Sequence, residues 1–364
     1  MTNRTRNTTA DGRSARRSEP RSVRRSVALN RTLIIVLALA LLLFVIVSMT
    51  AGMYKMTPAE VVGAVLHHFF GIEMAGYEPI HETVIINVRF PRVIAATVIG
   101  MALAGAGASY QGLFRNPMVS PDLLGASSGA AFGAAISLLL DAPLWTVQIV
   151  SFACGLLAVG LAYAISNIVS RGDNVVLSLV LTGMVVSALF SAFVSIIKYV
   201  ADPDTKLPSI TYWLMGGLQG MENSALPWLL IPFLIGIIPM LLFRYRLNLL
   251  SFGEEEAQAL GVNTKLIRGI YIASATLVTS ASVAAAGMIG WVGLVIPHLT
   301  RFIVGPNYRH LMPASILVGG LFLLLVDNIT RVFFLVEVPL GILTALVGAP
   351  FFLFLLAKGR KGWV

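Results

Sequence analysis

The feature that most constrains the fold of this chain is a series of ten apolar runs, each about as long as one membrane crossing. A bilayer core about 30 Å thick needs roughly 20 apolar residues per helix. The runs therefore predict an all-α polytopic membrane protein with about ten transmembrane helices. They lie at about residues 32–51, 90–112, 123–140, 146–169, 175–199, 226–243, 266–286, 288–304, 313–333 and 340–357. Glycines interrupt 266–304, so nine spans are the alternative.

The composition excludes a soluble protein of this size. Only 12% of the 364 residues are charged and 57% are hydrophobic, whereas soluble domains carry about 25% charged residues. A soluble fold of roughly 300 residues still exposes about a quarter of its unfolded surface, so it could not hide this much apolar surface. The single cysteine, Cys154, excludes a disulfide within the chain.

An N-terminal arm, residues 1–31, holds most of the net charge of +9. It has nine arginines against Asp11 and Glu19, and so contributes +7. Because it lacks aromatic residues to stack on bases, we expect no nucleic-acid partner. We expect a disordered cytoplasmic arm that touches anionic lipid headgroups. Residues 48–51 make a poor cleavage site, so the run at 32–51 is interpreted as a span rather than a signal peptide.

The basic residues also predict the orientation. With the N-terminus in the cytoplasm, 20 of the 26 Lys and Arg residues lie inside, as the positive-inside tendency requires. We therefore expect a bacterial or archaeal cytoplasmic membrane protein with both termini, including the tail at 359–364, in the cytoplasm. The six basic residues left outside are Lys55, Arg89, Arg92, Lys198, Lys206 and Arg331.

The chain lacks the residue patterns that several kinds of function require. No glycine-rich P-loop pattern is present, so the chain is expected to have no ATPase site and no enzymatic activity of its own. His67 and His68 are adjacent on a predicted helix and are expected to point apart, so no metal site is assigned. The spans carry no carboxylate near the midplane, which disfavours a stand-alone ion-driven transporter. Asp327 lies toward the outer end of its span, where Arg331 can pair with it at i,i+4.

The second span contains small residues four positions apart, which let helices approach closely and predict a central position for it. It follows the sequence Arg89-Phe-Pro-Arg92 and ends at two prolines and an asparagine. The pairs are Gly100/Ala104, Ala102/Ala106 and Gly105/Ser109.

The segment 247–261 is expected to be an amphipathic helix on the cytoplasmic side. Gly253 begins the helix, and the three glutamates that follow suit its positive N-terminal end. Ala257 and Leu260 are expected to form its apolar face, and Gly261 ends it.

Three further patterns stand out in the chain: Gln-x-x-x-Arg-Asn-Pro, Gly-Leu-Val-x-Pro-His-x-x-Arg and Glu-x-Pro-x-Gly-x-x-Thr. Together with the 247–261 segment, they resemble the permease subunits of type II ABC importers, the FecCD-like family that takes up ferric siderophores, haem and vitamin B12. The resemblance covers about residues 32–358. The pattern residues assigned to the family motif and gating are Gln111, Arg115, Asn116, Pro117, Pro297, His298, Arg301, Glu337, Pro339 and Gly341.

This resemblance implies a ten-helix permease that works with a second permease copy or a paralogue. It also implies two ATPase subunits on the cytoplasmic face, which hold the ATP and Mg, and a solute-binding protein outside. The chain itself is expected to bind no cofactor. By the same resemblance, the residues that couple the permease to the ATPase are Leu247, Asn248, Gly253, Glu254, Ala257, Leu260 and Gly261.

The resemblance further assigns binding-protein docking to three outward arginines, Arg89, Arg92 and Arg331. Arginine suits bidentate recognition of carboxylates, and these three lie outside against the positive-inside tendency. Snorkelling of the guanidinium groups to lipid headgroups is the structural alternative. Glu337 lies six positions after Arg331, where related permeases commonly have seven, so this turn is expected to present Arg331 differently.

The function implied is import of a ferric-siderophore-type iron chelate by alternating access, powered by the separate ATPase. The same architecture could carry haem, cobalamin or an oxyanion, and a stand-alone secondary transporter is the alternative from another class.

Overall fold

The computed structural model of the chain describes residues 21–72, 74, 78–170, 175–334 and 336–359, and in these residues all regular secondary structure is helical. The α-helices, in chain order, are α1 Arg21–Thr50, α2 Pro58–Phe70, α3 Pro79–Glu82, α4 Phe90–Leu113, α5 Ala126–Leu139, α6 Leu144–Val169, α7 Val175–Val200, α8 Lys206–Leu214, α9 Leu226–Leu242, α10 Arg244–Leu250, α11 Glu254–Ala259, α12 Thr264–Ala286, α13 Val292–Val304, α14 Tyr308–Phe333 and α15 Leu340–Gly359.

All ten predicted spans appear as helices. Seven helices in the described part are long and apolar enough to cross a membrane. The three remaining spans are the shorter apolar helices Ala126–Leu139, Val292–Val304 and Leu340–Phe354. The region 266–304, which left nine spans open, is divided into α12 and α13, and Gly287 ends α12 with a φ of 68° that favours glycine. The predicted polytopic all-α fold is confirmed.

The spans run alternately up and down, so that α10 and α11 lie at one end of the bundle and α2 lies at the other. We call these the α11 end and the α2 end. At the α11 end, Asn30 Nδ2 of α1 donates to the carbonyl oxygen of Val304 at the end of α13 (3.1 Å). At the α2 end, Asn223 Nδ2 donates to the carbonyl oxygen of Ile86 (2.9 Å). Which end faces the cytoplasm stays a prediction from the basic residues.

Helix α4 lies at the centre of the bundle, as its small residues predicted. It packs against α9, α12, α13 and α14. Gly100 meets the backbone of Gly319 and Gly107 meets the backbone of Gly293, so closely that an added Cβ at either glycine would overlap a carbonyl oxygen. Backbone-to-backbone contact of this kind is how small residues hold membrane helices together.

Part of the N-terminal arm lies within α1, and the expected disorder of the arm stays a prediction. Helix α1 begins at Arg21, so residues 21–31 continue the first span as helix, and residues 1–20 lie outside the described residues. A helix that extends beyond the apolar core needs no new capping residues at the boundary, because its backbone groups stay paired within the helix.

Candidate functional site

The α10–α11 segment, residues 244–261, is anchored to the bundle by an ion pair at the root of α11. Arg268 Nη2, on α12, donates to Glu254 Oε2 at 2.7 Å. Thr264 Oγ1 donates to the other carboxylate oxygen at 3.1 Å. Ala257 of α11 is fully buried. Helix α11 is therefore fixed to the start of α12.

A second anchor joins α10 to α14. The side chain of Asn248 donates through Nδ2 to Asn307 Oδ1 (2.9 Å) and accepts from the backbone N–H of Tyr308 (2.8 Å). Asn307 is itself the residue that caps the start of α14, through its side chain and the N–H of Arg309. Leu247, one residue before Asn248, is fully buried. The segment is thus fixed to two long helices by polar contacts and by apolar burial.

The tip of the same segment is exposed. The side chains of Phe252 and Leu260 are 69% and 63% exposed. Ala257 and Leu260 therefore do not form one apolar face, and that expectation is wrong: Ala257 faces the bundle and Leu260 faces away from it. Gly253 has a φ of +136°, which favours glycine, and α11 begins directly after it, as expected. Gly261 ends the turn with its N–H on the carbonyl oxygen of Gln258.

An ion-pair cluster lies at the α2 end. Arg92 Nε donates to Asp327 Oδ1 at 2.8 Å, and its Nη1 donates to both oxygens of Glu337 at 2.8 Å. Arg331 Nε lies 2.9 Å from the other Asp327 oxygen, which confirms the predicted i,i+4 pair. The Asp327 side chain is fully buried between the two guanidinium groups.

Arg89 and Arg331 also hold the C-terminal end of α1. Arg89 donates to the carbonyl oxygens of Met49 (Nη1, 2.7 Å) and Tyr54 (Nη2). Arg331 Nη1 donates to the carbonyl oxygen of Ala51 at 3.2 Å. The last carbonyls of a helix have no partner within it and carry partial negative charge, so arginine donors there are favourable.

Arg89, Arg92 and Arg331 thus lie together at the α2 end with their side chains buried, and their role in docking a binding protein stays a prediction. Their exposed fractions are 4%, 7% and 6%. The physical reason is that the end of α1 and the carboxylates of Asp327 and Glu337 surround them. The sequence showed only the Asp327–Arg331 part of this cluster, because the other partners are far apart along the chain.

The Gln-x-x-x-Arg-Asn-Pro motif, which begins at Gln111, links α4 to α13. Gln111 is buried and its Nε2 donates to the carbonyl oxygen of Leu294 at 3.1 Å. Asn116 Oδ1 accepts from the N–H of Met118 at 2.9 Å, which shapes the turn that ends α4. Arg115 is exposed in this turn, and Pro117 beside it is half-buried. The motif is thus a packing and turn element at the α11 end.

The other motif residues divide between the two ends. Pro297 and His298 are buried within α13, and the His298 ring packs edge-on against Phe302 at 5.2 Å between centroids. Arg301 Nη2 donates to the Tyr308 hydroxyl at 3.2 Å. At the α2 end, the remaining three occupy the turn into α15: Glu337 binds Arg92, Pro339 comes directly before the helix, and Gly341 packs against the backbone of Met215.

His67 and His68 do not point apart, contrary to expectation. The Nδ1 atom of each ring lies 2.8 Å from a different oxygen of Glu82, at the end of α3. The two histidines and this carboxylate therefore join α2 to α3. In the described part of the chain, no group of three or more His, Cys, Asp or Glu side chains is arranged to hold a metal ion.

The bundle and its anchored, exposed α10–α11 segment define an integral membrane protein of the permease type. The molybdate import system permease protein of Haemophilus influenzae is 38% identical over 328 residues, covering 90% of this chain and 95% of that protein. The Fe(3+)-citrate import system permease protein of Bacillus subtilis is 35% identical, covering 90% and 96%. A solved metal-chelate type ABC transporter in an inward-facing conformation superposes with a TM-score of 0.80 at 36% identity, covering 90% of this chain and 99% of that one.

A family model described as the FecCD transport family matches residues 40–358. The chain belongs to the FecCD transport family and is a permease of ABC import systems. The resemblance inferred from the motifs is confirmed.

Proposed function

We propose that this permease imports an iron chelate of the ferric-siderophore type by alternating access, driven by ATP hydrolysis on two separate ATPase subunits. The observation that carries this proposal is the α10–α11 segment, whose root is fixed to α12 and α14 while its tip is exposed. An ATPase that pushes on the tip would move both long helices. ATP and Mg would be held by the ATPase subunits, and this chain would bind no cofactor.

The residues of that segment would contribute to coupling in two ways, by contact with the bundle and by contact with the ATPase. Leu247, Asn248, Glu254 and Ala257 transmit force because they contact the bundle, whereas Phe252 and Leu260 offer apolar area to a partner. Exposed apolar side chains in water favour burial against another protein. A second permease copy or a paralogue would complete the pathway.

The binding protein would dock at the α2 end. There, Arg89, Arg92 and Arg331 keep the end of α1 and the turn before α15 in position, and the surface offered to the partner is the rim around them. The Glu337 side chain, 30% exposed, forms part of that rim.

The cargo is proposed from the relatives. One imports Fe(3+)-citrate by its name, and the solved neighbour is of the metal-chelate type. A second candidate is an oxyanion, because the Haemophilus influenzae relative is named for molybdate and covers as much of the chain.

Reconstitution in liposomes with the cognate ATPase and binding protein tests both the ATP-driven mechanism and the cargo. Uptake of a radiolabelled ferric siderophore that requires ATP supports the proposal, with labelled molybdate as the comparison. Uptake of molybdate alone would select the oxyanion. Uptake that continues without the ATPase would contradict the ABC mechanism and favour a stand-alone transporter.

A further inference from the structure

A lateral groove of about 630 Å³ opens between α6 and α9, with α12 as its floor. Its walls are almost entirely apolar and include Tyr163 of α6 and Ile235 of α9. Ile235 is 59% exposed, so the groove opens sideways from the bundle toward the hydrocarbon region. This groove has no role in the proposed coupling or docking.

The groove exists because the helices that line it carry glycines and short side chains at positions where larger side chains would fill the space. A Cβ added to Gly160 of α6 or to Gly269 of α12 would meet no atom within 4 Å. Pro239 and Ala273 contribute only short side chains to the same space. An unfilled gap costs its lining atoms their dispersion contacts, so in a bilayer the groove favours an apolar chain as its occupant.

Two basic residues lie beyond the groove lining toward the α11 end. Lys265 lies one helical turn before Gly269 on the same face of α12, and its side chain is exposed. Phe243 caps the end of α9, four residues after Pro239, and the guanidinium of Arg246 on α10 stacks over its ring at 5.5 Å. Neither Lys265 nor Arg246 makes an ion pair with a described residue. An apolar channel that ends in two cations matches an amphiphile with an anionic head.

We propose that this groove binds an anionic phospholipid of the surrounding membrane, with an acyl chain between α6 and α9 and the phosphate between Lys265 and Arg246. Basic pockets between transmembrane helices bind anionic headgroups in this way. The phosphate would bridge α10, which carries Arg246, and α12, which carries the Arg268 anchor of the α10–α11 segment. The site is independent of the cargo, and it adjoins the proposed coupling element because Arg246 belongs to the α10–α11 segment.

Native mass spectrometry of the purified protein, titrated with phosphatidylglycerol and with phosphatidylcholine, tests the proposal. Phosphatidylglycerol is expected to bind more tightly. Lys265→Gln and Arg246→Gln are each expected to weaken its binding about fivefold, the value of one basic residue near an anionic headgroup. The double variant Gly160→Leu/Gly269→Leu places two larger side chains in the groove from positions where an added Cβ meets no atom within 4 Å, and it is expected to remove the bound lipid.

Gly290→Leu is the matched control, because an added Cβ at Gly290 also meets no atom within 4 Å but lies outside the groove. Gel filtration of every variant checks folding and oligomeric state. Equal binding of both lipids, or phosphatidylglycerol binding that survives the groove-filling variant, would overturn the proposal. Conversion of dimer to monomer by Gly160→Leu/Gly269→Leu would also overturn it, since the groove would then belong to a second copy.

Discussion

The two ends of the bundle both contain an arginine paired with a carboxylate distant in sequence, yet the pairs differ in burial. At the α2 end, Asp327 is fully buried between Arg92 and Arg331. At the α11 end, Glu254 is 40% exposed although its partner Arg268 is buried. Breaking a buried pair leaves an uncompensated charge in the interior, whereas an exposed carboxylate can return to water.

This difference indicates different tasks. The α2-end cluster joins α1, α4, α14 and the turn before α15, so its loss affects the framework of the bundle. The α11-end pair holds only the root of a short segment, so its loss leaves the bundle intact and changes how that segment follows α12. Substitutions at the two ends test this division, and those at the α2 end should be the more damaging.

Asp327→Ala should have the largest effect. It leaves two buried guanidinium groups without their shared carboxylate, and removing one partner from a buried ion pair costs about 3–5 kcal/mol. We expect a strong decrease in the temperature of thermal unfolding of the detergent-purified protein. Glu337→Gln is the matched control, because this side chain is 30% exposed and still accepts a hydrogen bond from Arg92. Equal effects of the two substitutions would contradict the central position of Asp327.

Arg89→Met should have the second-largest effect on stability. It keeps most of the side-chain length but removes the donors to the carbonyl oxygens of Met49 and Tyr54. Hydrogen bonds to charged groups contribute about 1.5–3 kcal/mol, so we expect a loss of stability of about 2 kcal/mol.

The same variant distinguishes the two interpretations of this arginine. Binding-protein affinity is measured at low and at high salt beside the thermal unfolding. A role in holding α1 predicts lower stability with little change in the salt dependence of binding. Unchanged stability with a loss of salt-sensitive affinity would show instead that Arg89 contacts the partner directly.

The sequence predicted well what depends on local pattern. Apolar length placed the ten helices, the small residues of 100–109 placed α4 at the centre, and i,i+4 spacing paired Asp327 with Arg331. It did not predict that Arg89 and Arg92 are buried. Arg92 is buried by Asp327, 235 positions away, and Arg89 by the carbonyls that end α1. Such contacts depend on how helices assemble, which no local pattern records.

The α10–α11 segment shows the same limit of prediction from local pattern. Gly253 and the three glutamates predicted where α11 begins, but not that Glu254 is held by Arg268 and Thr264. The apolar face assigned to Ala257 and Leu260 was also wrong, because the helix is so short that its neighbours decide which residues are buried. Asn248, assigned only by resemblance, turned out to bridge α10 and α14.

Exchanging the charges of Glu254 and Arg268 tests the α11-end pair. Glu254→Arg should leave the bundle folded but lower the ratio of transport to ATP hydrolysis, because α11 is no longer fixed to α12. A contact of about 1.4 kcal/mol corresponds to a tenfold change in an equilibrium, so we expect a decrease of about tenfold in this ratio. The double variant Glu254→Arg/Arg268→Glu should recover part of it.

Partial recovery in the double variant is the decisive result, since it isolates the interaction between the two side chains. Glu255→Arg is the control, as it changes the same charge on the same helix at an exposed position with no ion pair among the described residues. A double variant as poor as the worse single variant would mean that the pair does not transmit coupling.

The smallest expected effect concerns Asp202, in the turn between α7 and α8. Asp202 Oδ1 accepts hydrogen bonds from the Thr205 hydroxyl (2.7 Å) and the Thr205 N–H (2.9 Å), and these lower the pKa of Asp202. A carboxylate with a lowered pKa in the folded state contributes stability above its ordinary pKa of about 3.9, and that contribution is lost as the pH falls through the folded-state pKa.

Asp202→Asn keeps the Oδ1 acceptor and removes only the charge, so it should lower the unfolding temperature slightly at about pH 7 and by less at about pH 2.5. Asp204→Asn controls for general charge, because Asp204 contributes a backbone N–H to this turn rather than an acceptor. An Asp202→Asn effect of equal size at both pH values would show that the charge does not stabilise the turn. Because Asp202 is exposed and its hydrogen bonds are local, this loss should leave both the α2-end cluster and the α10–α11 segment unaffected.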